Sequence, residues 1–387
     1  MDDSCSIISE LQLHINRLSN SITLDLEKCI IDNQWETMDY TLIVEELEGF
    51  INSRSPSEET YNELLYLMAK FLFFSGQLNK LNDLYIQSAP LSEIQGVLIF
   101  YALGLSFQGH SQQGLDILSQ VYKNLDENDI VLYLETLSVE LYIHSIKRDY
   151  KKVTELFHLF QQKLNSNKDL KREEKAHILP WVYLRNAYSL RAEGKISSAL
   201  DLISECGDYL REFPHRFFKV MATTVMGHCY HNIGNITKAV EFYDEAIDLG
   251  IEIQGKTLLS ILYNRVGMAM SIRGKFEESR SYYQDALDLA IETGSTWLTA
   301  GPLASLSQWK IASGNIEGAI DDYHHFEKVA STVGDERELC FAQLTLANLY
   351  ERLGDFPKSK YYFAEALRRG LKLGILRISP NDQQNVN

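Results

Sequence analysis

Proline is scarce: seven residues in a chain of 387. Only proline both removes a backbone donor and clashes with the preceding helical turn, so long helices meet few breaks here. Cysteine is scarce as well. Cys5, Cys29, Cys206, Cys229 and Cys340 are odd in number, scattered, and form no C-x-x-C. That argues against a disulfide framework and for reduced, buried thiols in the cytoplasm. No apolar run approaches the roughly 20 residues that span a bilayer as a helix. The longest, Gly96 to Phe107, reads as a buried helix. The acidic start Met1-Asp2-Asp3-Ser4 lacks the basic and apolar stretches of a secretory leader. Positive charge is also short, with 37 Lys and Arg against 53 Asp and Glu, a formal net charge of −16. Non-specific nucleic-acid binding and docking on an anionic membrane both need a cationic surface. Residues 1–60 carry Arg17, Lys28 and Arg54 against thirteen carboxylates, which demotes a DNA-binding head.

What the chain has in abundance is regular repetition. Gly234-Asn235-Ile236, Gly274-Lys275-Phe276, Gly314-Asn315-Ile316 and Gly354-Asp355-Phe356 place glycine at intervals of 40 residues. Weaker copies stand at Gly194, Arg148, Gly109 and Gly76, and a degenerate one near Glu36 to Met38. The step from Arg148 to Gly194 is 46 residues, so a longer connection is expected, over the polar stretch Asn165 to Glu174. Apolar residues recur at helical spacing on both sides of each glycine, as at Leu259, Leu262, Val266 and Met270 before Gly274. The glycine therefore ends one helix cheaply, in the left-handed conformation, and a second helix follows. Arg148 breaks that rule, and its turn is expected to be strained or differently built.

Small residues (Gly227, Gly267, Ser307, Ala347) lie seven before the turn and others (Ala239, Ser279, Ala319, Ser359) five after it. They allow two antiparallel helices to approach closely. Tyr243, Tyr283, Tyr323 and Phe363, nine after, are suited to fill gaps between stacked hairpins. Ala246, Ala286 and Ala366 come three later still, with Phe326 as the departure.

Gly227, Tyr230, Gly234, Ala239, Tyr243 and Ala246 match the signature of the tetratricopeptide repeat one by one, and the Gly354 copy matches nearly as well. Ile236 departs from the aromatic residue of that signature but stays apolar. The chain thus resembles that family, in a variant with a unit of 40 residues rather than about 34. The resemblance implies an all-α fold, a right-handed α-solenoid of stacked antiparallel helical hairpins. It divides the chain into a helical N-terminal cap over 1–59, a repeat array over 60–375 and a disordered tail over 376–387.

No catalytic constellation is apparent. His228 and His231 have metal-ligand spacing but no third ligand, and His324-His325 reads as surface. Neither a phosphate-binding Gly-rich loop nor G-x-S-x-G occurs. The reading is a non-enzyme with no cofactor and no metal. The resemblance implies that the first helix of each hairpin lines a concave groove. Distance from each turn then selects Arg185, Tyr188, Arg191, His228, His231, Asn232, Asn264, Arg265, Met268, Gln308, Asn348 and Arg352. Amides pair with an extended peptide backbone, arginines hold carboxylates by bidentate hydrogen bonds, and Tyr188 and Met268 offer apolar contact. The expected function is a cytoplasmic scaffold that binds a protein segment or peptide, acidic or ending in a free carboxylate. The competing reading is a sensor whose superhelix changes shape on binding a short signalling peptide or small ligand. No nucleic acid and no membrane is expected as partner, and a homo-oligomer is left open.

Overall fold

The computed structural model describes residues 40–373 apart from 54–57, 88–94, 127–128, 168–169, 171, 213–215, 254 and 334–335. The degenerate copy near Glu36, most of the expected N-terminal cap and the expected tail lie outside the described residues. Among the described residues every regular element is a helix: α1 (Tyr40–Ser53), α2 (Glu58–Ser75), α3 (Leu78–Gln87), α4 (Gln95–Phe107), α5 (Ser111–Asn124), α6 (Ile130–Ile146), α7 (Tyr150–Ser166), α8 (Arg172–Ala192), α9 (Ile196–Glu212), α10 (Arg216–Asn232), α11 (Ile236–Glu252), α12 (Lys256–Ile272), α13 (Phe276–Glu292), α14 (Thr296–Ala312), α15 (Ile316–Val333), α16 (Glu336–Arg352) and α17 (Phe356–Lys372). The fold class is an α-solenoid of antiparallel hairpins. From α10 onward, helices of mostly 17 residues and links of about three residues fill each 40-residue period, so the extra length over the common repeat lies in the helices.

Each hairpin turn follows one plan. Gly76, Gly109, Gly194, Gly234, Gly274, Gly314 and Gly354 all have positive φ, between 77° and 94°. Except after Gly109, the next residue sends its amide back to the helix five residues earlier, as Asn235 N–H does to the Tyr230 carbonyl at 2.9 Å. This is the hydrogen bond of a Schellman motif, and it satisfies a carbonyl that the helix end would otherwise orphan. Where that next residue is Asn or Asp, it also caps the second helix. The side chains of Asn235, Asn315 and Asp355 accept from the amides of Lys238, Gly318 and Lys358. Stopping one helix and starting the next therefore takes two residues, which is why Gly-Asn and Gly-Asp recur.

Arg148 adopts the same turn, with φ 58°, the only non-glycine with positive φ among the described residues. Asp149 N–H reaches the His144 carbonyl at 2.9 Å, and the Asp149 side chain caps α7. Of the two expected outcomes, strain is the one realised, at a cost of about 1–2 kcal/mol for an L-residue with a Cβ. The extra length after Arg148 is shared differently from the expectation. Helix α7 continues to Ser166 and α8 starts at Arg172 and runs 21 residues, so part of the insertion extends α8 and the connection is shorter than Asn165 to Glu174.

Two compact units divide the chain, one comprising residues 1–106 and 111–262 and the other 107–110 and 263–387. In the first, a Cβ on Gly227 would lie 2.4 Å from the ring of Tyr243, so α10 and α11 touch through a bare backbone. In the second, Gly267 faces Tyr283 in the same way. The large residue thus fills the hairpin itself as well as the space toward the next. The first unit also holds an aromatic cluster. Trp181 of α8 lies 5.7 Å from Phe74 of α2, 5.6 Å from Tyr142 of α6 and 5.5 Å from Phe217 of α10, and Phe74 meets Phe217 at 4.4 Å. Beside it, buried Lys70 lies 3.8 Å from Glu135, which accepts from the Tyr66 hydroxyl at 2.6 Å. Glu135 is thus held by both a cation and a hydrogen-bond donor, as buried charges require.

Two substitutions test the turn plan by urea denaturation. Gly274→Val should destabilise by about 1–3 kcal/mol, because valine resists the left-handed region. Arg148→Gly should stabilise by about 1 kcal/mol, because it removes a strain already present.

Candidate functional site

The first helix of a hairpin presents one row of residues at spacings of three, four or seven. On α8 that row is Trp181, Arg185, Tyr188 and Arg191, and on α10 it is Phe217, Thr224, His228 and Asn232. The rows lie side by side. Trp181 meets Phe217 at 5.5 Å, Tyr188 meets His228 at 5.8 Å, and Arg191 Nη1 lies 3.5 Å from Asn232 Oδ1. The face therefore runs from an aromatic, closed end at Trp181 to a polar end at Arg191.

Arg185 sits at the change of character. It is 7% exposed, and its guanidinium carbon lies 3.4 Å from the centre of the Tyr142 ring and 5.4 Å from that of Tyr188. Arg191 also lies over the Tyr188 ring, at 4.7 Å. Tyr142, Arg185, Tyr188 and Arg191 thus alternate ring and cation. Burial pushes the Tyr142 phenol up, although Arg185 draws it the other way, so the ring under the guanidinium is neutral. Stacking on a ring face recovers part of what burial takes from the cation. Arg185 Nε and Arg191 Nε have no hydrogen-bond partner, and among the described residues neither arginine pairs with a carboxylate. Elsewhere Arg211, Arg216, Arg280, Arg368 and Arg369 each reach a carboxylate. His228, 2% exposed, packs edge-on between Tyr188 and Tyr243 and contributes as a wall. His231 is half-buried and Asn232 exposed on the same helix.

In the second unit the selected residues are more dispersed. Asn264 is buried and accepts from the Ser305 hydroxyl at 2.9 Å. Arg265 is half-buried, and its Nη1 lies 3.4 Å from the Met268 sulfur, with no ion pair among the described residues. Gln308 is exposed but donates to the Tyr323 hydroxyl at 2.7 Å within its own hairpin. Asn348 and Arg352 are exposed on α16. His325 is exposed as expected, whereas His324 is half-buried and lies 2.8 Å from the Tyr350 hydroxyl.

Tyr142 is the residue that sequence reasoning missed. It lies six before the turn at Arg148, the offset shared by Tyr188, His228, Met268, Gln308 and Asn348. The same rule applied to the turn without a glycine finds it. Among the described residues no three His, Cys, Asp or Glu side chains group as metal ligands, and no helix is long and apolar enough to cross a membrane.

Residues 219–292, spanning α10 to α13, match the family model for the tetratricopeptide repeat. No curated protein matches the sequence. Among solved structures, the Cut9–Hcn1 hetero-tetramer of the APC/C aligns with a TM-score of 0.58 at 14% identity, over 95% of this chain and 71% of that one. A Rap protein complexed with competence and sporulation factor aligns with a TM-score of 0.55 at 13% identity, over 83% of this chain and all of that one. At these identities the likeness is one of fold. The fold is that of tetratricopeptide repeat proteins, and α10–α13 carry the repeat in sequence as well as in structure.

The thiols near these rows are inert. Burial, reinforced by Glu205, pushes Cys206 up to about 12, and burial also raises Cys229 and Cys340, against the opposing pull of Arg191 and Arg369. All three are free and buried. In a Cys5→Ser, Cys29→Ser background, a disulfide reagent at pH 8 should modify none of them until urea is added, as read by intact mass.

Proposed function

We propose that the protein is a non-catalytic, cytoplasmic interaction scaffold that binds an acidic peptide or protein segment along the first-helix face of its hairpins. One observation carries this reading: the arginines on that face, Arg185, Arg191, Arg265 and Arg352, lack carboxylate partners among the described residues, in a chain with a surplus of 16 negative charges. Intramolecular pairing would be easy to supply, and Arg211, Arg216, Arg280, Arg368 and Arg369 outside the face have it. An unpaired, buried guanidinium gains a charge-assisted hydrogen bond from an incoming carboxylate and has already met most of its desolvation cost. Arg185 and Arg191 are the anchors in the first unit. Arg265, Met268, Asn348 and Arg352 offer the same chemistry in the second, while Asn264 and Gln308 hold their neighbours. Exposed amides such as Asn232 and Asn348 suit an extended backbone, which needs both a donor and an acceptor. Repeat folds commonly use this surface for partners, which supports the placement.

A ligand-sensing role is the second reading. It is supported by the fold shared with the Rap protein, whose structure holds a bound factor. A sensor of this kind should compact on binding, and small-angle scattering at saturation reads that change directly. An unaltered profile leaves the scaffold reading.

The scaffold reading is tested by selecting displayed 12-residue peptides against the full chain. Enrichment of Asp, Glu or a free C-terminal carboxylate is expected. Arg185→Ala with Arg191→Ala should weaken the selected peptides by about tenfold or more, in line with charge-assisted bonds of roughly 1.5–3 kcal/mol each. The circular dichroism spectrum should stay unchanged. Peptides without acidic bias, or full affinity in the double variant, would rule the reading out.

A further inference from the structure

The repeat position nine after the turn is buried in the three copies before the Gly354 one: Tyr243 and Tyr323 are 0% exposed and Tyr283 5%. At the same position of the last hairpin, Phe363 is 53% exposed. The inner side of α17 is unaffected, since Ala366 and Gly370 remain buried as in the earlier copies. Among the described residues α17 thus exposes an aromatic residue where the three preceding copies bury a tyrosine. Phe356, Lys360, Phe363 and Leu367 follow one another at spacings of four, three and four, which puts them on a single face of α17. Phe356 is 65% exposed, Lys360 is exposed and Leu367 half-buried.

The charge of this helix is opposite to that of the chain. Helix α17 carries Lys358, Lys360, Arg368, Arg369 and Lys372 against the single carboxylate of Glu365. Lys358, Arg368 and Arg369 pair with Asp355, Glu365 and Glu336, but Lys360 and Lys372 have no ion pair among the described residues. In the Gly314 copy this position meets Phe341 on the first helix of the following hairpin, so the face fits a helix. Its unpaired Lys360 calls for a carboxylate on that helix. We propose that the exposed face of α17 docks an acidic amphipathic α-helix of a partner protein. The partner's apolar stripe would lie over Phe356, Phe363 and Leu367, with Glu or Asp side chains flanking Lys360. This surface is separate from the arginine face of the first-helix rows and does not depend on it.

The test uses two labelled 18-residue helical peptides with the same leucine stripe, one with glutamates and one with lysines at the remaining positions. Fluorescence anisotropy is measured with the full chain at low and high salt. The glutamate peptide should bind, and the lysine peptide should not. Binding should weaken at least tenfold in Phe363→Glu and in Lys360→Glu, and should survive in Arg185→Ala with Arg191→Ala. Because residues 363 and 360 are exposed, both variants are expected to keep the native circular dichroism spectrum. Equal binding of both peptides, or full affinity in Phe363→Glu, would overturn the proposal. So would self-association of the free chain that Phe363→Glu abolishes, which makes a second copy the occupant. Glutamate-peptide binding that appears only after deletion of residues 374–387 would overturn it too, by making that segment the occupant.

Discussion

One backbone residue in each hairpin must enter the left-handed region, and the rest of the architecture is referred to that residue. It closes the first helix through a backbone hydrogen bond, and where its successor is Asn or Asp, that side chain opens the second helix. Because the turn leaves no slack, residue offsets counted from it become positions in space. Seven before is where the helices touch backbone to ring, and six before is where the rows of α8 and α10 meet. The alternation of Tyr142, Arg185, Tyr188 and Arg191 follows from that indexing rather than from any local motif.

The same indexing explains what was legible in the sequence. Seven of the eight turns show themselves as glycine, because no other residue takes that conformation without cost. Small residues at Gly227 and Gly267 announce close helix contact, and the rows on α8 and α10 follow by counting. Tyr142 stayed hidden because its turn is built on Arg148, where a side chain disguises the backbone. Other features depend on partners distant in sequence. Asn264 is occupied by Ser305, Gln308 by Tyr323, and His228 is enclosed by two tyrosine rings. A count along the helix says which way a side chain faces but not what is already there. The division of the extra residues between α8 and its preceding link is likewise invisible, since a polar stretch serves a helix end as readily as a loop.

Charge is organised against the composition. Carboxylates dominate the chain, yet the cations divide into those neutralised by a neighbour and those that are not. Arg216 is held by Glu252 and Arg369 by Glu336, in pairs that connect helices. Arg185 and Arg191 are stacked on rings instead, and a ring leaves the edge of a guanidinium unused. Stacking therefore fixes where these cations sit without consuming their hydrogen-bonding capacity, which is how a site is kept both rigid and available.

The aromatic contact between α2, α8 and α10 changes how the first unit must come apart. Solenoids are usually treated as one-dimensional: each repeat touches only its neighbours, so stability is a sum of local terms and hairpins can melt singly from an end. Phe74 and Phe217 stand in hairpins separated by several turns, yet their rings are 4.4 Å apart. Losing α2 would strip Trp181 and Phe217 of partners in the middle of the array, so end-fraying is penalised there. The first unit should accordingly lose structure as one cooperative block, with a folding barrier dominated by closing the long loop between Phe74 and Phe217 rather than by nucleating a hairpin.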